Sequence, residues 1–151
     1  MNDYPASPAE GLHSEDAQTR LLAAAEMLFA ERGFDGTSVR DITAAADCNV
    51  AAVNYHFRNK ENLYHEVFRR LLRQLRDSRI AAIEAVLQAK GDTTALEDVL
   101  RAYAHAWLSP LCERDRGQCL MHLFCRELSD QRLPGDMFVE EMARPVHLYL
   151  M

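Results

Sequence analysis

Asp47-Cys48-Asn49-Val50-Ala51-Ala52-Val53-Asn54-Tyr55-His56-Phe57-Arg58-Asn59-Lys60 is the stretch on which the reading of this chain turns. Asn49 is a favoured N-cap residue, and Val50, Ala51 and Ala52 behind it keep the first turn of a short helix small. A helix of this length is marginal by itself, so its neighbours must hold it. Immediately upstream, Ser38 to Ala46 reads as a second short helix, with Ser38 as its cap and Asp41 three residues on in the capping-box position. Asp47, Cys48 and Asn49 become the tight turn between them, a helix-turn-helix over about 38–57. In that motif the second helix enters the major groove of DNA and presents its N-terminal residues to the bases.

Working outward, residues 1–13 hold two prolines, a glycine and no periodic apolar pattern, which predicts a mobile tail. Ser14 can cap a first helix with Glu15 and Asp16 in its opening turn, and Leu21, Ala25, Leu28 and Phe29 give it a core face. Gly33 is placed to stop that helix in a left-handed conformation, bringing Phe34 against Phe29. In the short second helix, Ile42, Ala45 and Ala46 are expected to face inward. The resulting head spans 14–60.

Beyond it, residues 61–151 predict a helical body. A long helix from Lys60 to about Lys90, opened by Asn59 and closed by Gly91, has Leu63, Val67, Leu71, Leu75, Ala82, Ile83 and Val86 as its stripe, with Arg69, Arg73 and Arg76 on an outer face. Thr94 with Glu97 suggests a capping box for a helix that ends at Pro110, and a charged loop at Glu113 to Arg116 precedes another over Gln118 to Ser129. Pro134-Gly135 separates this from a last segment, Asp136 to Met151. Without β-branched alternation or repeats, the fold class is all-α.

The formal charge of −6 argues against a general nucleic-acid coat, but residues 58–79 carry seven Lys/Arg against three Asp/Glu, a local excess of +4 beside the second short helix. Alone, such a block reads as a solvated helix face. No apolar run is long enough to span a membrane, and the acidic Met1 to Asp16 lacks the order of a signal peptide, so the expectation is a cytoplasmic protein without a membrane partner. The four cysteines, Cys48, Cys112, Cys119 and Cys125, form neither a C-x-x-C pair nor a disulfide framework.

The run from Leu21 to Leu63 resembles the N-terminal domain of TetR-type transcriptional regulators. It carries Phe29, Gly33-Phe34, Ser38-Val39-Arg40-Asp41-Ile42, Ala45-Ala46, Val53-Asn54-Tyr55-His56-Phe57 and Lys60-Glu61-Asn62-Leu63 in order. Leu123-Phe124-Cys125-Arg126-Glu127-Leu128 followed by Pro134 is similar to the ligand-binding domain of one subgroup. The resemblance implies a repressor that binds a palindromic operator in double-stranded DNA as a homodimer and is released by a small-molecule effector in its body, with no cofactor and no metal. It departs from the family at the turn, with Asp47 where glycine is usual and Cys48 for an apolar residue, and at Asn54, where tyrosine is common.

By the same resemblance, base readout falls to Arg40, Val50, Ala51, Ala52 and Asn54. Arg40 can pair with guanine, Asn54 with adenine, and Val50 or an alanine with a thymine methyl. Phosphate contacts fall to Ser38, Tyr55, His56 and Lys60. Tyr103, His105, Trp107, His122 and Arg126 could line an effector pocket, although core packing is the plainer reading of Tyr103 and Trp107. The apolar Val146 to Met151, following Pro145 with no stop signal, predicts a body incomplete at its C-terminus and weak dimerisation of this chain.

Two other functions compete. A helical module that binds protein partners without DNA fits the acidic composition. A metal or thiol sensor could use Cys112, Cys119, His122 and Cys125, but their spacing is a poor zinc signature. Catalysis is not expected: Cys119 or Cys125 with His122 lacks a third orienting group, and there is no phosphate-cradling glycine loop.

Overall fold

The computed structural model describes residues 8–150, with side chains from residue 16 onward except 114–116 and 150. Among the described residues seven α-helices follow in order: α1 Pro8–Arg32, α2 Val39–Ala45, α3 Val50–Phe57, α4 Lys60–Lys90, α5 Leu96–Cys112, α6 Arg114–Asp130 and α7 Arg144–Leu150. No strand occurs among the described residues. The fold is all-α. The chain divides into two compact units, one up to Val67 and one from Phe68.

In the first unit α1, α2 and α3 pack mutually. The core takes Leu21, Ala25, Leu28 and Phe29 from α1, Ile42 from α2 with Ala46 at its C-cap, Val53 and Phe57 from α3, and Leu63, Tyr64 and Val67 from α4. Helix α1 starts at Pro8 rather than at a Ser14 cap, so residues 8–13 of the expected tail are helical, while 1–7 lie outside the described residues. Proline suits a first helical position because its missing N–H would have had no intrahelical acceptor. The inward residue of α2 besides Ile42 is Thr43 and not Ala45, which is exposed; the Thr43 hydroxyl returns to the Arg40 carbonyl at 3.1 Å.

The stop of α1 follows the expected design. Gly33 is left-handed (φ 75°), its N–H reaches the Phe29 carbonyl at 2.9 Å, and the Phe29 and Phe34 rings stack at 5.9 Å. Tyr64 meets both rings edge-on, at 5.0 and 5.2 Å. The buried Thr37 hydroxyl bridges the Leu28 and Gly33 carbonyls. Gly36 in this loop is sterically required, since a Cβ there would collide with the Arg32 carbonyl oxygen.

The second unit has its core in Phe68, Leu71, Leu72 and Ile83 of α4, Ala106 of α5, Leu120 and Leu123 of α6, and Met137, Met142 and Val146. Helix α4 ends as expected, at a left-handed Gly91 (φ 51°). The cap of α5 is displaced from the expected Thr94–Glu97 box: Asp98 accepts from the Ala95 N–H, and the Thr94 hydroxyl turns back to the Gly91 carbonyl. The same Asp98 pairs with Lys90 at 2.7 Å. Pro110 does not end α5, which continues to Cys112; only one donor is lost so near the C-terminus, and little helix remains to be disrupted. The expected loop at Glu113 to Arg116 is the first turn of α6 from Arg114 onward. That helix stops at the left-handed Gln131, and the Glu127 carboxylate holds the Leu133 N–H.

Between α6 and α7, Val139–Ala143 form a π-helical turn that aims Glu141 and Met142 at α4. Glu141 gathers the supposed outer arginines. Arg73 grips its carboxylate at 2.9 and 3.2 Å, Arg69 lies 3.6 Å away, and Arg76 reaches its backbone oxygen. These partly exposed positive charges therefore converge on the π-helical turn.

Candidate nucleic-acid interface and body cavity

Local chemistry builds the α2–α3 corner. Ser38 is extended and caps α2, accepting from the Asp41 N–H while the Asp41 carboxylate accepts from both the Ser38 N–H and its hydroxyl. These Ser38 hydrogen bonds hold the Asp41 carboxyl below the ordinary carboxylate range. Asp47 takes the left-handed position (φ 50°) that glycine would occupy more easily. Cys48 substitutes in the turn by geometry: its N–H reaches the Thr43 carbonyl at 2.9 Å, and Arg20 donates to its sulfur at 3.6 Å. Asn49 caps α3, its side chain accepting from the Ala52 N–H at 2.9 Å.

Val53 and Phe57, one turn apart, sink into the core and so fix how α3 faces outward. Val50, Ala51, Asn54 and Tyr55 are exposed, as is Arg40 on α2; Ala52 is half-buried. Tyr55 is 79% exposed, with the half-buried His56 ring edge-on to it at 4.9 Å. The five residues named for base readout thus occur on two short helices with small or planar polar side chains on their open faces.

Two named phosphate contacts are differently placed. The Ser38 hydroxyl hydrogen and N–H are both given to Asp41. Lys60 turns its ammonium inward, donating to the Phe34 carbonyl at 2.9 Å and the Thr37 carbonyl at 3.0 Å, and lies 4.0 Å from the Phe34 ring centroid. Both residues brace the head in this structure. Arg58, not singled out from sequence, is an exposed cation at the C-cap of α3 with positive φ (69°). Its position straight after the aromatic run Tyr55 to Phe57 was the available signal.

In the body, a cavity of about 330 Å³ is lined by Leu75, Trp107, Leu120, Phe124, Phe138 and the guanidinium-bearing Arg79, among others. Of the residues expected around an effector, Trp107 lines it and Tyr103 meets the Trp107 ring edge-on at 6.4 Å. His105, His122 and Arg126 are exposed and do not line it. Arg79 is the residue sequence reasoning missed. Its signal was the four-residue step Leu71, Leu75, Arg79, Ile83, which puts a cation in the buried stripe. Among the described residues, no group of three His, Cys, Asp or Glu is gathered as a metal site. Cys112 and Cys125 are exposed, and Cys119 is half-buried.

Residues 21–67 match the family model described as bacterial regulatory proteins, tetR family. The head is therefore similar to the N-terminal domain of that family. The HTH-type transcriptional dual regulator CecR of Shigella flexneri is 29% identical to the chain over 149 residues, covering 95% of this chain and 66% of its own length. NalD, the secondary repressor of the MexAB-OprM multidrug efflux pump in Pseudomonas aeruginosa, is a structural neighbour with TM-score 0.53 and 28% identity, over 91% of this chain and 63% of that one. A Mesorhizobium loti MAFF303099 structure assigned to TetR-family transcriptional regulators aligns with TM-score 0.68 over 90% of this chain and 65% of that one; at 20% identity it speaks to the fold. The chain spans about two thirds of the length of these relatives, 66%, 63% and 65%. No helix among the described residues is long and apolar enough to cross a membrane.

Proposed function

We propose that this protein is a cytoplasmic, sequence-specific DNA-binding transcriptional regulator. It acts as a repressor on a palindromic operator and is released by a small molecule held in its body. The observation that carries the reading is the open face of α3: Asn49 caps it, Val53 and Phe57 anchor it, and Val50, Ala51 and Asn54 stay exposed. With Arg40 beside them, these residues present the hydrogen-bonding and methyl-contacting groups that read a major groove. Tyr55, His56 and Arg58 supply the adjoining phosphate contacts, while Ser38 and Lys60 act by holding the corner rigid. A homodimer matches the two halves of a palindrome.

Selection of bound duplexes from a random pool, followed by affinity measured against salt, tests this reading. A recovered two-fold motif and a steep loss of affinity with salt are expected. Retention that ignores both salt and sequence would instead favour a helical module for protein partners.

A further inference from the structure

Arg79 is 1% exposed, on the inner stripe of α4, at the wall of the 330 Å³ body cavity. Its guanidinium carbon lies 3.6 Å from the Trp107 ring centroid, and one terminal nitrogen reaches the Met142 sulfur at 2.9 Å. A thioether is a weak acceptor and a ring face carries only a quadrupole, so neither neutralises the cation. The Arg79 Nε is buried without a protein acceptor. The Glu141 carboxylate, next in sequence to Met142, is engaged by Arg73 and Arg69. Burial accordingly pushes the Arg79 guanidinium below its ordinary range, with Tyr103 acting the other way. A buried cation beside an apolar space is costly unless something pairs with it.

We propose that the body cavity binds an apolar molecule carrying one anionic group, whose anion pairs with Arg79 and whose apolar part packs on Trp107, Leu120, Phe124 and Phe138. The volume lies near the lower end of the range for small-ligand sites, which suits a compact amphipathic acid. Trp107 and Phe138 are 38% and 46% exposed, so an occupant would also remove apolar surface from water. This rests on the regulator reading, since it names the chemical class of that effector.

The chain has one tryptophan, Trp107, so its fluorescence reports this cavity directly. Titrations with decanoate, decanol and decyltrimethylammonium compare one apolar tail with three head groups. Decanoate is expected to bind about tenfold or more tightly than decanol, because a charge-assisted pair is gained, and the cation is expected to bind weakest. Arg79→Gln should erase the preference for decanoate while decanol binding remains. Equal affinity for decanoate and decanol in the unaltered protein, binding of neither, or a preference that survives in Arg79→Gln would each overturn the proposal, and the first comparison needs no variant to fold. Duplex affinity is measured separately with decanoate bound. Selective decanoate binding that leaves it unchanged keeps the anion site and removes the effector role.

Discussion

The Lys60 ammonium donates to the Phe34 carbonyl at 2.9 Å while standing 4.0 Å from the centroid of the same residue's ring. One side chain at the start of α4 thereby fixes the loop that leads from α1 into α2. A second bond, to the Thr37 carbonyl, fixes the residue just before the Ser38 cap.

Lys60→Ala should therefore act on stability first. Two hydrogen bonds from a charged donor and a cation–ring contact are lost from a partly buried site, a destabilisation of about 1–3 kcal/mol. Thermal unfolding should show it as a drop of several degrees. The slope of log affinity against log salt should stay near that of the unaltered protein, because this ammonium is engaged internally. A shallower slope with unaltered stability would return Lys60 to the phosphate-contact set.

In the body, Glu141 ties α4 to the π-helical turn, and its pKa is depressed chiefly by the Arg73 hydrogen bonds, with Arg69 and Arg76 adding charge and desolvation opposing them. A depressed carboxyl contributes stability that is present above its unfolded value, about 4.3, and is lost as pH falls through the folded value. Unfolding free energy measured from pH 6 to pH 3 should fall more for the unaltered protein than for Glu141→Gln. The difference is roughly 1 kcal/mol or less, because Arg73 is about half exposed. Parallel pH curves would show that the cluster contributes nothing.

What the sequence made legible was local. The Gly33 stop, the Ser38–Asp41 box and the Asn49 cap are satisfied within four residues along the chain, so propensity and spacing were enough to find them. Ala45 was misassigned because a seven-residue helix carries too little periodicity to choose between adjacent faces. The long-range pairings were out of reach. Lys60 meets Phe34 across 26 positions, Arg73 meets Glu141 across 68, and Arg79 meets Met142 across 63. A basic block reads as a solvated or phosphate-facing surface until the fold brings an acceptor back to it, and the π-helical turn that does so has no sequence signature as plain as a cap.

Asn49→Ala should cost about 1 kcal/mol, since the Ala52 N–H loses its side-chain acceptor at the start of a helix only eight residues long. Asn49→Ser should recover most of that, because serine is a comparable cap. Denaturant unfolding of the three proteins would check the ranking, and equal midpoints for all of them would dismiss the cap as a stabiliser of α3.

Asn54 gives the most direct test of base reading. It lies one turn from Val50 on the exposed side of α3, away from Val53 and Phe57, and its backbone carbonyl accepts from the Arg58 N–H at 3.1 Å. Asn54→Ala leaves that backbone bond in place and introduces a better helix former, so the fold should hold. What disappears is a planar amide able to donate to and accept from one adenine edge. Selection from a random duplex pool should therefore return the same two-fold motif with one base pair per half-site relaxed. Binding to the original preferred site should weaken by roughly 1–3 kcal/mol, with little change on sites altered at that position. A motif recovered unchanged from the Asn54→Ala protein would remove Asn54 from the proposed reading set.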